Sequence, residues 1–223
     1  SFKMNTPYLG KSYTNKEILN FFVSLNYPKP KYFEEEDLIK ITVEALQNRQ
    51  IIAWFQGGSE FGPRALGNRS FLADPRNDQI RELINEKIKK RELFRPFAPS
   101  CKLESQKNFF KIKQSSPYMN IVSDVIENKV NIIPAVTHID GTARVHTVDF
   151  KTNPRYWKLI DEFEKKTGVG VLLNTSFNIQ EPIVESPKDA IECFLRSNVD
   201  LLVIGNYICD TSWRKNITTN DNS

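Results

Sequence analysis

Five consecutive apolar residues, Ile51-Ile-Ala-Trp-Phe55, lead almost directly into a loop with glycine at 57, 58, 62 and 67. The run has strand length and no polar alternation, so it predicts a strand covered on both faces. Further strands are predicted at 70–73, 121–125, 132–136, 143–148, 169–173 and 201–204. Helices are predicted from a Thr14 cap to Leu25, at 34–48, from an Asp78 cap to about Arg91, from Pro154 to about Thr167, and at 187–196. Strands alternating with helices make the fold class α/β. No repeat and no internal linker interrupts the pattern. Residues 1–50 read as a lead-in segment or connector, 51–215 as the domain itself and 216–223 as a polar tail.

Composition narrows the function classes. At 39% hydrophobic and 26% charged, the 223 residues suit a globular protein with a real core. No apolar run reaches bilayer length, and the first residues carry no signal-peptide core. Cys101, Cys193 and Cys209 are odd in number and widely spaced. They point to reduced thiols and a cytoplasmic location, against a disulfide or zinc framework. The net charge of +4 is too low to imply nucleic acid by itself. From Gly57 to Lys102, however, ten Lys/Arg stand against six Asp/Glu, a surplus equal to that of the whole chain. A small polyanion suits this concentration, as does a solvated basic face.

Several segments carry residues suited to an anion. In Gly57-Gly-Ser-Glu-Phe-Gly-Pro-Arg-Ala-Leu-Gly67, the glycines allow close backbone approach and Arg64 adds a fork of donors. A tight turn in which Arg64 pairs with Glu60 explains the same residues. On the next helix Lys89 falls opposite the apolar stripe with Asn85 one turn earlier, and Lys87 lies nearer the buried edge; a solvated lysine fits Lys89 equally. Arg95 sits in the proline-stiffened segment Arg91-Glu-Leu-Phe-Arg-Pro-Phe-Ala-Pro99, as a phosphate contact or in a structural salt bridge. Arg144 shares one face of an alternating strand with His146 and Val148. Asn174-Thr-Ser-Phe-Asn178 follows the strand 169–173 at its carboxyl end, where open α/β sheets bind ligands, although an ordinary polar turn reads the same way. Gly10-Lys11-Ser12 lacks the first glycine and the strand of a phosphate-binding P-loop, and no G-x-S-x-G elbow occurs. His138 and His146 have no metal-ligand spacing and read as structural, so no metal ligand is named.

Taken together, these blocks resemble the NodU/TobZ carbamoyltransferase family. The resemblance rests on Gly57 to Arg69 with Phe71-Leu-Ala-Asp-Pro-Arg76, on Asn85 to Pro99, on Asp140-Gly-Thr-Ala-Arg-Val-His-Thr-Val148, and on Asn174 to Asn178 followed by Glu181-Pro-Ile. It covers the chain from about Tyr8 to Cys209. The family pairs an amino-terminal Kae1-like domain, which carries iron and transfers a carbamoyl group to an acceptor hydroxyl, with a YrdC-like carboxy-terminal domain. The latter uses ATP, with Mg²⁺, and carbamoyl phosphate to make a carbamoyl-adenylate. This chain resembles the second domain alone, so the resemblance implies a YrdC-like mixed sheet flanked by helices, with a basic substrate cavity. The Kae1-like domain would precede Ser1 and be its partner. Arg64, Lys89 and Arg95 are the implied catalytic residues. Together with Arg144, Asn174, Ser176 and Asn178 they are also the implied substrate and nucleotide contacts. Alternatives are a threonylcarbamoyl-adenylate synthase-like enzyme, an RNA-binding YrdC-like module, and a domain that binds nucleotide but reacts only with its partner.

Overall fold

The computed structural model describes residues 6–220. Nine strands form one mixed sheet: β1 (Lys31–Tyr32), β2 (Ile52–Phe55), β3 (Arg69–Ala73), β4 (Ala98–Lys102), β5 (Ile121–Asp124), β6 (Thr142–Val148), β7 (Val171–Ser176), β8 (Leu201–Ile204) and β9 (Tyr207–Asp210). Their order is β1-β9-β8-β2-β3-β7-β4-β6-β5. The β2/β8 and β4/β6 pairs run parallel and the others antiparallel. The helices are α1 (Asn15–Ser24), α2 (Glu35–Gln47), α3 (Gln79–Leu83), α4 (Pro154–Thr167), α5 (Pro187–Arg196) and α6 (Thr211–Asn220). No helix among the described residues is long and apolar enough to cross a membrane.

Local chemistry sets the helix starts. Thr14 and Glu17 form a reciprocal capping box at α1, as Ser186 and Asp189 do at α5. Asn153 caps α4, and Pro154 and Pro187 occupy first-turn positions where no amide donor is missed. All four residues of β2 are buried, with α2 and α5 packed against the strand, so its unbroken apolar run is explained by cover on both faces.

Several boundaries differ from those expected. The predicted strand at 132–136 is a short 3₁₀ turn, Pro134–Val136; Pro134 has no N–H to give to a ladder. Strand β7 runs three residues beyond 173, so Asn174, Thr175 and Ser176 are strand residues. The helix from Asp78 is α-helical only to Leu83, continues as a π-turn over Ile84–Lys89, and ends at Lys90 in the left-handed region (φ 49°). The wider turn buries Ile84, Asn85, Ile88 and Lys89 together and leaves Lys87 exposed, the reverse of the pattern an α-helix gives. Residues 15–47 do not stand apart as a lead-in: Ile18, Phe22, Leu38, Val43 and Leu46 lie in the same core as β2 and β8. The expected tail from 216 continues α6 as far as Asn220, with Trp213 and Ile217 in that core, and its last three residues fall outside the described ones.

The core also holds a histidine. His146 is fully buried on β6, its Nδ1 2.8 Å from Ser100 Oγ and its ring stacked near Tyr156. Burial pushes its pKa down to about 3. Below the ordinary value of roughly 6.5 the unfolded chain takes up a proton that the folded chain refuses, so acid favours unfolding. Stability is therefore expected to fall by about 2 kcal/mol between pH 6.5 and 5 from this residue alone. Urea titrations across that window check it: His146→Gln should flatten the slope, and an unchanged slope would refute the assignment.

Candidate functional site

The glycine loop leaves β2 at Phe55 and re-enters the sheet as β3. Its shape is held from inside by Glu60, whose Oε1 accepts the backbone N–H groups of Leu66, Asn68 and Arg69 at 2.8, 2.8 and 3.1 Å. Burial raises the pKa of this carboxyl, and the three N–H groups oppose that shift. The residues before α1 brace the outside: the Gly10 N–H donates to Ser59 O, the Phe61 N–H to Pro7 O, and the Tyr8 hydroxyl to Leu66 O. With Glu60 so used, Arg64 is not its partner. Arg64 is exposed and makes no ion pair among the described residues.

Arg64 instead joins three other arginines in the wall of a cavity of about 370 Å³. Arg144 comes from β6, Arg91 and Arg95 from the loop after the π-turn, and Asn174 and Ser176 from the end of β7. Among the described residues, no aspartate or glutamate is in this wall. Arg144 is half-buried and its Nε has no hydrogen-bond partner among the described residues. Burial, and then the charge of Arg64, lower its pKa. Burial, followed by Arg95, does the same to Arg91, which donates to Asn85 Oδ1 at 2.7 Å and lies 4.9 Å from the Phe97 ring centre. Arg95 has only Glu92 nearby, at 3.9 Å and with both side chains exposed, a pairing of little worth. Four guanidinium groups converge on one space, and the only acidic group paired with any of them among the described residues is the exposed Glu92 outside the wall. That arrangement favours a polyanion and can stabilise negative charge as it develops.

Of the residues expected to bind substrate, Arg64, Arg95, Arg144, Asn174 and Ser176 thus share one wall. Lys89 and Asn178 stand outside the lining. Lys89 is not solvated: it is 3% exposed. Its Nζ donates to Ser176 O (2.5 Å), Asn178 Oδ1 (2.7 Å), Asn178 O (2.8 Å) and Ser176 Oγ (3.2 Å). The lysine therefore ties down the end of β7 from behind. Burial, and then Arg91, lower its pKa to about 7. Two lining residues had no signal of their own in the sequence. Arg91 opens the same stiff segment as Arg95, and His138 reaches the cavity through the turn before β6. Among the described residues no three His, Cys, Asp or Glu side chains gather into a metal site.

The family model for the carbamoyltransferase C-terminus matches residues 43–211. The chain belongs to that carbamoyltransferase family. Nodulation protein NolO of Bradyrhizobium diazoefficiens is 49% identical over 78% of this chain and 32% of its own length. The 3'-hydroxymethylcephem-O-carbamoyltransferase of Amycolatopsis lactamdurans is 42% identical over 71% of this chain and 30% of its own. The chain spans about a third of the length of these carbamoyltransferase-family relatives. Among solved structures, full-length HypF superposes with a TM-score of 0.57 at 19% identity, over 76% of this chain and 25% of HypF. Sua5 of P. abyssi gives 0.57 at 16% identity, over 79% of this chain and 49% of Sua5. These likenesses show the fold: this carbamoyltransferase C-terminal domain is YrdC-like, as the resemblance implied.

Proposed function

We propose that the four-arginine cavity binds ATP and carbamoyl phosphate and forms a carbamoyl-adenylate. A Kae1-like domain of the full-length protein then transfers the carbamoyl group to an acceptor hydroxyl. The observation that carries the reading is the convergence of Arg64, Arg91, Arg95 and Arg144 on a wall without a carboxylate. Family membership and the HypF structure, itself described as phosphate- and nucleotide-bound, support the same chemistry. In forming the adenylate, a carbamate oxygen joins the α-phosphorus of ATP and pyrophosphate leaves, while the phosphate of carbamoyl phosphate departs as inorganic phosphate with an oxygen from water. The protein's part is to hold two anionic reactants together and to offset charge growing at phosphorus; no side chain acts as a nucleophile. Mg²⁺ enters with ATP as part of the substrate, held through phosphate oxygens, since the wall offers no carboxylate.

The test incubates the chain with ATP, Mg²⁺ and carbamoyl phosphate and follows pyrophosphate. Release that requires carbamoyl phosphate is the expected result. Release that requires L-threonine instead would favour the threonylcarbamoyl-adenylate reading, and absence of both release and ATP binding would overturn the proposal. Arg144→Ala is expected to weaken carbamoyl phosphate or ATP binding roughly 10- to 100-fold, the effect of one charge-assisted hydrogen bond. Its melting temperature should barely move, because Arg144 holds no described residue in place. Calorimetry beside thermal melting separates the two effects.

A further inference from the structure

Asn174 is 1% exposed, yet it forms part of the cavity wall. Its Nδ2 lies 3.2 Å from Ala65 O and 2.9 Å from Ser100 Oγ. A backbone carbonyl can only accept, so the Ala65 contact fixes which end of the amide carries the hydrogens. Both of those hydrogens are then used. The Oδ1 at the other end is buried and has no partner among the described residues. It is the one hydrogen-bonding atom of this side chain left for a ligand.

The second contact depends on a further pair of residues. Ser100 sits beside His146 across the parallel β4/β6 ladder and diagonally from Asn174 across β4/β7. Ser100 Oγ accepts from Asn174 Nδ2 and lies 2.8 Å from His146 Nδ1, so the histidine holds the hydroxyl that in turn holds the amide. Burial keeps His146 neutral throughout the working pH range. Ser100 and His146 reach no cavity atom themselves.

We propose that Ser100 and His146 are positioning residues that lock the Asn174 amide, so that its Oδ1 selects an acyl phosphate bearing an N–H donor over one bearing a methyl group in the same place. The inference rests on the cavity taking carbamoyl phosphate, and it identifies what would distinguish that ligand from acetyl phosphate. The two differ by an amine against a methyl. A buried acceptor satisfied by the amine and left bare by the methyl discriminates between them.

The experiment measures the affinities of carbamoyl phosphate, acetyl phosphate and inorganic phosphate by calorimetry for the chain and three variants. The unsubstituted chain is expected to prefer carbamoyl over acetyl phosphate by at least about tenfold. Ser100→Ala should bring that ratio close to one while changing inorganic phosphate binding less than about twofold. His146→Leu, which removes the ring nitrogen beside Ser100 Oγ, should behave likewise, and His146→Gln, which restores a hydrogen-bonding group, should recover the preference. The His146 pair decides the matter if Ser100→Ala does not fold. Weakening of all three ligands in parallel would mean a structural role only and would overturn the proposal. An unchanged ratio in Ser100→Ala and His146→Leu would also overturn it and leave the carbamoyl phosphate reading standing. Failure of the unsubstituted chain to bind any acyl phosphate would remove both.

Discussion

Gly67→Ala is expected to destabilise the domain by at least about 3 kcal/mol, more than most single substitutions. Gly67 holds φ at +96°, a conformation that strains any residue with a side chain. A Cβ there would also stand 2.1 Å from Cδ1 of Tyr156, a fully buried ring with no space to withdraw into. The Gly67 backbone is held as well, its carbonyl accepting from Trp54 Nε1 at 2.9 Å and its N–H donating to Ser70 Oγ at 3.1 Å. Relief therefore requires the loop to move, and Arg64 moves with it. Urea denaturation gives the energy, and anion affinity in the surviving folded fraction gives the effect on the site. A loss below about 1 kcal/mol would show that Tyr156 yields more easily than its burial suggests.

The second large effect is expected at Arg69, two residues further on, where β3 begins. This arginine is fully buried and has no carboxylate partner among the described ion pairs. Its guanidinium donates to the carbonyls of Gln56, Gly57, Asn68 and Lys11 at 2.6 to 3.3 Å and lies 3.6 Å over the Phe55 ring. Burial brings its pKa down to about 10, with Glu60 opposing, so the group remains charged at neutral pH. Arg69→Met fills a similar volume but leaves these carbonyls without their donor. A cost of about 3–5 kcal/mol follows from orphaning several buried acceptors at once. Arg69→Lys should recover only part, since one ammonium cannot reproduce a planar fork. Chemical denaturation of both variants tests the idea, and an Arg69→Lys variant as stable as the unsubstituted chain would show that the fork geometry is immaterial.

What could be read in advance follows from the physics of each segment. The α4, α5 and β8 boundaries were legible because capping residues, first-turn prolines and an unbroken apolar run act locally. Strand β4 was not, since Pro99 lies inside it and argues against any strand between two others. The two-residue β1 has too few residues to show a period. The π-turn defeated the helical reading of Lys89: a wheel drawn at 3.6 residues per turn sends the lysine to solvent, whereas the wider turn brings it under β7. Arg64, Arg95 and Arg144 stood out individually as residues suited to phosphate. Only the sheet order brings loops 57–67 and 91–97 and strands β6 and β7 around one space. Arg91 and His138 were invisible for the same reason, because convergence is a property of topology and not of spacing.

The pairing of β2 with β8 has a consequence for how the molecule comes into being. Ile52–Phe55 finds its parallel neighbour only at Leu201–Ile204, 149 residues further on. Closing so distant a contact is entropically slow, and a ribosome releases the chain from its amino-terminal end. Until Leu201–Ile204 has been made, one edge of a fully apolar strand therefore waits for a mate not yet synthesised. The sheet of this domain therefore closes late, once β8 has emerged to lie beside β2.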